Sequence, residues 1–141
     1  EGGGGRRTRG RRVRIPRAVI TACCRAASAL RDERFARAVA VDIASEGIAP
    51  DDFMIASLVP VIGRAGTPEA VEAAEALFLH ARERSAKLGG AAWSCTIGVM
   101  CRAGRLERAV EMLEEMKGEP FMRAWRPTAV GGAGGGGGGG L

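Results

Sequence analysis

Residues 92–116 read AWSCTIGVMCRAGRLERAVEMLEEM, and this stretch decides the fold. Apolar residues recur at helical spacing on both sides of Gly104, which is typical of two amphipathic helices. The glycine stands where the end of a helix favours a left-handed backbone, so the second helix is expected to fold back along the first. The stretch therefore predicts one helical hairpin, in whose second helix Leu113 and Met116 face the core.

A single hairpin leaves one broad face uncovered, so further copies are expected, and two looser ones lie upstream. Successive first helices end 39 and 38 residues apart, at Cys24, Gly63 and Cys101. Successive second helices are 36 and 35 residues apart, at Ala38, Ala74 and Ala109. The extra residues are expected in the inter-helix loops, where insertions are tolerated. Pro60, inside the first helix of the middle copy, is expected to weaken or kink that helix.

Three segments of the third copy carry a resemblance to a known family: WSCTI at 93–97, CRAGRL at 101–106 and AVEMLEEMK at 109–117. Together they closely resemble the pentatricopeptide repeat. The sequence GIAPD at 47–51 is similar to the ending of that repeat. The resemblance implies an all-α protein, a right-handed α-solenoid of about three stacked antiparallel helical hairpins.

The composition divides the chain into three parts. Residues 1–14 form a basic arm rich in glycine and arginine, 15–128 the repeat domain, and 129–141 a glycine-rich tail. The hairpins of the repeat domain are expected at about 15–51, 52–89 and 90–128. The arm and the tail have too little apolar surface to fold and are expected to be disordered. Because the chain lacks an initial methionine and ends in glycines where another first helix is expected, we interpret it as a fragment.

The formal net charge of +5 is unevenly distributed. Seven arginines and one glutamate fall within residues 1–17, while the repeats are close to neutral. Such an arm is interpreted as a solvated basic tail, part of an organelle transit peptide, or a nonspecific phosphate binder. It is poor in acidic residues, as transit peptides are, but it lacks their serine content.

The sequence offers no catalytic, metal or cofactor site. The only histidine, His80, lies in an apolar-rich helix and is expected at a helix surface or interface. The four cysteines have neither disulfide nor zinc spacing, and Cys24 and Cys101 are expected to pack between helices in a reducing compartment. No apolar run is long enough to cross a membrane. We therefore expect no enzyme, no metal or cofactor and no small-molecule substrate.

One basic residue recurs in all three copies, at the end of the first helix. The three residues are Arg25, Arg64 and Arg102. Stacked hairpins would line them along one edge of a groove, and the resemblance assigns this position to contacts with the RNA backbone. A structural alternative is that each arginine complements the negative end of its helix dipole. The sequence is compatible with both.

The resemblance also implies which residues read bases: one near the start of the first helix and the last residue of the same repeat. By register, the pairs are Arg17 with Asp51, Ala56 with Gly89, and Ser94 with Thr128. The residues expected to flank a base are Arg14, Phe53 and Ala91, of which only Phe53 is a large apolar residue. Only Ser94 and Asp51 are residue types usual for base reading, so no target sequence follows.

The leading functional hypothesis is implied by the resemblance. It is a segment that binds single-stranded RNA in a groove lined by the first helices and acts in RNA processing, stability or translation in a mitochondrion or plastid. The alternative, favoured by the degenerate base-reading positions, is a helical-repeat scaffold that binds a protein partner. A third interpretation is an inert or decayed fragment.

Overall fold

The computed structural model describes residues 14–84 and 87–124. Over these residues the chain forms seven α-helices and no strand. The helices are α1 Arg17–Leu30, α2 Glu33–Ser45, α3 Asp52–Ile62, α4 Pro68–Arg84, α5 Gly90–Arg102, α6 Leu106–Lys117 and α7 Pro120–Ala124, and a 3-10 turn at Gly63–Ala65 follows α3. The predicted all-α helical repeat is confirmed, whereas the short helix α7 was not predicted. The right-handed sense of the stack stays a prediction.

The helices form three consecutive hairpins: hairpin 1 (α1 and α2), hairpin 2 (α3 and α4) and hairpin 3 (α5 and α6). The first helices of the hairpins, α1, α3 and α5, pack side by side, and the second helices form the other layer. Helix α3 lies at the centre, in contact with α1, α2, α4 and α5. Seven of its eleven residues are buried as a result, including Met54, Ile55 and Leu58.

Helices α2, α3 and α4 begin where side-chain caps predict. Asp32, Asp51 and Thr67 each accept a hydrogen bond from the backbone N–H three residues further on, at 3.1, 2.8 and 3.2 Å. Each bond satisfies an N–H group that the helix itself leaves without an acceptor.

The inter-helix turns use a left-handed residue in all three hairpins. Gly66 and Gly104 adopt φ values of 73° and 79° in hairpins 2 and 3, as expected of glycine. Hairpin 1 has no glycine there. Helix α1 instead continues to Leu30, and Arg31 takes the left-handed conformation with φ of 54°. A residue with a side chain is strained in this conformation, so the turn of hairpin 1 is the least favourable of the three.

The register of the second helices follows from the residues that they bury. These are Ala36, Val39 and Ile43 in α2, Ala74, Leu77 and Ala81 in α4, and Ala109, Met112 and the half-buried Met116 in α6. Successive hairpins are therefore offset by 38 and 35 residues in this layer. The alignment of Ala38 with Ala74 was wrong by two residues, because an alanine-rich helix offers few distinctive positions. The residues that make the first two copies longer than the third lie between the two helices of each hairpin, as expected. Most of them are helical, however, and do not form a loop.

The loop between hairpins 1 and 2 is held by four side chains that reach successive backbone carbonyl groups. The contacts are Arg14 to Glu46 at 3.0 Å, Arg84 to Gly47 at 3.5 Å, His80 to Ile48 at 3.3 Å, and Arg17 to Ala49 at 2.9 Å. Two of these side chains come from hairpin 2 and two from the start of hairpin 1. The half-buried His80 thus lies at an inter-hairpin contact, as predicted.

Helix α5 is capped by a side chain from the preceding hairpin. Its N-cap residue is Gly89, which has no side chain to accept a hydrogen bond. Asp52 Oδ1 accepts instead from the backbone N–H groups of Gly89 and Ala92, at 2.9 and 2.8 Å. The neighbouring Asp51 caps its own helix, so two adjacent carboxylates serve two different hairpins.

Helix α6 is rotated relative to the expected orientation. Met112 is fully buried and Leu113 is 41% exposed, so the expected burial of Leu113 was wrong, while Met116 is half-buried. The helix carries two apolar stripes about a quarter-turn apart, and the sequence alone did not indicate which one faces α5. The stripe of Ala109 and Met112 faces the core, while Leu106 and Leu113 point to the outer side.

Met112→Ala should lower the free energy of unfolding by about 2–4 kcal/mol, because it removes a fully buried side chain and leaves a cavity. Leu113→Ala should cost less than about 1 kcal/mol, because part of that side chain already contacts water. Urea unfolding followed by far-ultraviolet circular dichroism measures both. A larger loss for Leu113→Ala than for Met112→Ala would contradict the observed rotation of α6.

Asp52→Ala should destabilise hairpin 3 by about 1–2 kcal/mol, because two backbone N–H groups at the start of α5 lose their acceptor. Asp52→Asn keeps an acceptor oxygen and should cost less. Hydrogen exchange of the Gly89 and Ala92 amides, measured by NMR, reports the effect locally. Equal exchange rates in the Ala variant and the unmodified protein would show that the cap contributes nothing.

Candidate nucleic-acid interface

Each hairpin presents one exposed stripe along its first helix, at positions i, i+3, i+7 and i+11. The stripe of hairpin 1 is Arg14, Arg17, Thr21 and Arg25. The stripe of hairpin 2 is Phe53, Ala56, Pro60 and Arg64, and that of hairpin 3 is Ala91, Ser94, Gly98 and Arg102. All of these residues are exposed or half-buried. Because α1, α3 and α5 pack side by side, the stripes together form one surface, called here the first-helix face.

The three arginines predicted to contact phosphate are all exposed on the first-helix face. Arg102 is the last residue of α5, and Arg64 lies in the 3-10 turn after α3, as predicted. Arg25, however, lies inside α1, whose last turn contains no basic residue. The helix-dipole explanation therefore fails for Arg25, since a helix dipole acts mainly on charges in the terminal turn.

Arg25 reaches across to the next hairpin. Its guanidinium carbon lies 5.2 Å from the centre of the Phe53 ring. A cation above an aromatic ring is attracted to the electron-rich face of that ring. Phe53 is still 40% exposed, so the pair offers both a positive charge and an apolar surface at the junction of hairpins 1 and 2.

The predicted pair Arg17 and Asp51 lies close together, with the guanidinium 3.2 Å from the carboxylate. Arg17 also donates to the Ala49 carbonyl, and Asp51 also caps α3. Both side chains are therefore already bonded within the protein. Their adjacency agrees with the register of the repeat, and their role in reading a base stays a prediction.

The other predicted pairs are less complete. Gly89 faces the Asp52 carboxyl group, which would lie 3.5 Å from a Cβ atom at this position. The Ser94 hydroxyl donates to the Ala91 carbonyl at 3.3 Å. Thr128 lies outside the described residues. Ala56 and Gly89 thus provide no side-chain hydrogen bond to a base.

Sequence reasoning missed the middle of the face, and the weakening or kink expected at Pro60 stays a prediction. Helix α3 continues through Pro60 to Ile62. A proline has no N–H group for the carbonyl four residues earlier, which here belongs to Ala56. The Cys95 thiol of hairpin 3 donates to that carbonyl across 3.9 Å. This weak contact gives the carbonyl group a partner from a neighbouring hairpin, which no local pattern could have indicated.

Gly98 occupies the position of α5 that corresponds to Pro60 of α3, in the middle of the first-helix face. The Arg102 side chain folds back over it, and a Cβ atom at Gly98 would lie 3.3 Å from an Arg102 guanidinium nitrogen. A larger residue there would push the guanidinium aside. The glycine therefore helps to position one of the three arginines on the face.

The environments of the cysteines differ. Burial raises the pKa of the Cys24 thiol to about 12, with the nearby Asp51 and Cys23 contributing. Burial and the charge of Asp52 raise the pKa of Cys95, while Arg102 opposes the shift. Cys24 is buried as expected, but Cys101 is exposed, so its expected packing between helices was wrong.

Residues 93–117 match the sequence model of the PPR repeat. The chain carries a pentatricopeptide repeat. The matched span covers most of α5 and all of α6, which together form hairpin 3. No curated protein and no solved structure matches the chain. The match supports the assignment of the all-α structure as a helical repeat.

The described part of the chain lacks two further kinds of feature. No group of three or more His, Cys, Asp or Glu side chains there could hold a metal ion. Within residues 14–84 and 87–124, no helix has the length and apolar character that a membrane crossing requires.

Alkylation by iodoacetamide should follow the order Cys101, Cys95, Cys24. Cys101 is exposed, whereas the raised pKa of Cys95 keeps its thiol protonated until higher pH. Cys24, with a pKa of about 12, should react only after unfolding. Fragment-ion mass spectrometry of peptides from samples labelled at several pH values measures each rate. Fast labelling of Cys24 in the folded protein would contradict its burial.

Proposed function

We propose that the chain binds single-stranded RNA on the first-helix face, with one nucleotide per hairpin. The observation that carries the proposal is that Arg25, Arg64 and Arg102 are all exposed on first helices that pack against one another. The pentatricopeptide repeat of hairpin 3 supports the same assignment. Because proteins of this family typically act in organelles, we further propose a role in the processing, stability or translation of mitochondrial or plastid RNA.

The RNA backbone follows the arginine edge of the face. The stripes of the three first helices contain no acidic side chain, so their only charged groups are arginines. The bases then lie over the first half of each helix. Phe53 provides a stacking surface at the junction of hairpins 1 and 2, and stacking on an aromatic ring is worth about 1–3 kcal/mol per base.

Binding by these three hairpins is expected to be weak and nearly sequence-blind. Ala56 and Gly89 have no side-chain donor or acceptor, and Arg17 already donates to Asp51 and to the Ala49 carbonyl. Because only one hairpin offers an aromatic ring, we take about 1–2 kcal/mol per base, and three bases then give about 3–6 kcal/mol in total, which corresponds to dissociation constants from about millimolar to tens of micromolar. The basic arm of residues 1–14 adds further affinity without sequence information.

One structural feature favours the alternative of a protein-binding scaffold. A groove of about 310 Å³ lies between α2 and α4, on the opposite layer from the first-helix face. It is lined mainly by small apolar residues, namely Ala40, Ala44, Ala73 and Ala76, with Val41 exposed at its rim. A protein segment in this groove would leave the first-helix face free, so the two activities are separable.

Arg64→Ala should weaken binding of all single-stranded RNA sequences alike, because a phosphate contact carries no base information. The three contacts of the face should contribute about −2 to the slope of log K against log salt, and the variant should reduce the magnitude of the slope by about 0.7. Fluorescence anisotropy with labelled RNAs of different sequence at several salt concentrations measures both. Arg34→Ala, which removes an exposed arginine of α2, is the matched control and should leave the slope unchanged.

Replacing Arg25, Arg64 and Arg102 together by alanine should abolish most of the salt dependence of the repeat domain. Deletion of residues 1–13, which keeps Arg14 of the first-helix face, should lower affinity while leaving the contribution of the face intact. The proposal is overturned if the triple variant binds RNA as the unmodified protein does while the deletion abolishes binding. Retained binding of a protein partner without any RNA affinity would instead favour the scaffold.

A further inference from the structure

The two ends of the hairpin stack expose apolar side chains at positions that are covered inside the stack. The outer side of α6, called here the hairpin-3 end face, carries Leu106 and Val110, which are 60% and 56% exposed, together with Leu113. The opposite end of the stack, the hairpin-1 end face, exposes Val19 and Phe35. Isolated exposed apolar residues are common, but matched stripes at two ends of a repeat stack are typical of interaction surfaces.

The hairpin-3 end face corresponds to the surface by which hairpin 2 holds hairpin 3. With the 35-residue offset, Leu106 and Leu113 correspond to Val71 and Phe78, which are both buried. Phe78 packs edge to face on Trp93 of hairpin 3, with the ring centres 4.9 Å apart. The exposed leucines therefore occupy interface positions of the repeat, not positions of a solvated helix face.

Two ion pairs connect α4 to α6. Glu75 binds Arg108, and Arg82 binds Glu115 at 3.1 Å. With the 35-residue offset between hairpins 2 and 3, Glu75 corresponds to Val110 and Arg82 corresponds to Lys117. At the hairpin-3 end face, Lys117 thus keeps the positive charge of Arg82, and Val110 replaces the negative charge of Glu75.

The hairpin-1 end face changes in the matching way. The offsets of 35 and 38 residues carry Arg108 to Phe35 and Glu115 to Asp42. If hairpin 3 of one copy were stacked on hairpin 1 of another, the pair of Glu75 with Arg108 would become Val110 with Phe35. By the same correspondence, Arg82 with Glu115 would become Lys117 with Asp42. Both members of the first pair become apolar, and both members of the second keep opposite charges.

We propose that copies of this chain associate head to tail, with the hairpin-3 end face of one copy docked on the hairpin-1 end face of the next. The two matched pairs favour a second copy as the occupant of each end face. Val110 at one end would meet the apolar Phe35 at the other, and Lys117 would meet the oppositely charged Asp42. The contact is heterologous, so each added copy leaves a free end face and the assembly grows with concentration.

One pair limits the affinity. Glu72 and Arg105 face each other at 4.0 Å between hairpins 2 and 3. The corresponding pair between copies is Glu107 with Asp32, which brings two negative charges together. Glu107→Lys would restore opposite charges at this position and should tighten the association severalfold.

Sedimentation velocity of the full chain over a wide concentration range tests the proposal. The mean mass should rise above the 14.7 kDa of one chain as concentration increases. Val110→Glu and Phe35→Glu should each weaken association about tenfold or more, because each places a charge in an apolar contact. Val41→Glu, which adds the same charge to an exposed valine of α2 outside both end faces, is the matched control and should have no effect.

A mixing experiment separates head-to-tail contact from other arrangements. The Val110→Glu variant keeps a complete hairpin-1 end face, and the Phe35→Glu variant keeps a complete hairpin-3 end face. The two variants should each be monomeric alone and form a heterodimer when mixed, which also shows that both are folded.

Three results would overturn the proposal. The unmodified chain could stay monomeric at every concentration, which would mean that something other than a second copy covers the end faces. Phe35→Glu could keep the association that Val110→Glu loses, which would mean that two hairpin-3 end faces meet. The mixed variants could stay monomeric although circular dichroism shows both to be helical.

Discussion

The bond between the Asp52 carboxylate and the start of α5 sets the position of hairpin 3 on hairpin 2. Gly89 has no side chain with which to cap that helix, so its first N–H groups depend on the preceding hairpin. Gly63 in turn allows a close approach of the two first helices, since a Cβ atom there would lie 2.6 Å from a methyl carbon of Val99. A polar anchor and a close apolar contact together fix α5 along α3, and the alignment of Arg64 with Arg102 follows.

The junction of hairpins 1 and 2 uses the same kinds of residue for structure that the proposed function needs for recognition. Arg17 bonds to Asp51 and to a loop carbonyl, and Arg25 lies over Phe53. Exposed ion pairs contribute only about 0–1 kcal/mol, so RNA can replace Asp51 as the partner of Arg17 at little cost to stability. A cation above a partly exposed ring can likewise bind a phosphate while a base stacks beside it.

Features that depend only on residues close by along the chain were predictable from the sequence. The helical hairpins, the caps at Asp51 and Thr67, and the turn glycines all follow from local physical chemistry. Features that depend on another hairpin were not. Helix α6 has two apolar stripes, and only packing shows that Met112 faces inward. The carbonyl of Ala56, which Pro60 leaves without its helical donor, contacts the thiol of Cys95 in the next hairpin. On the candidate site, position along the helix was predictable for Arg64 and Arg102, but the extension of α1 moved Arg25 away from its helix end.

Coupling between hairpins is uneven, and this affects how ligand binding and stability are linked. Helices α2 and α4 meet largely through alanines and leave a groove, whereas Phe78 and Arg82 of α4 pack on Trp93 of hairpin 3. In a linear stack each interface contributes its own free energy, so the hairpin with the weaker interface opens first. Hairpin 1 also has the strained turn at Arg31. RNA that bridges Arg25 and Arg64 would therefore hold together the junction of hairpins 1 and 2, which is the most prone to open. The cost of ordering hairpin 1 would reduce the net free energy of RNA binding.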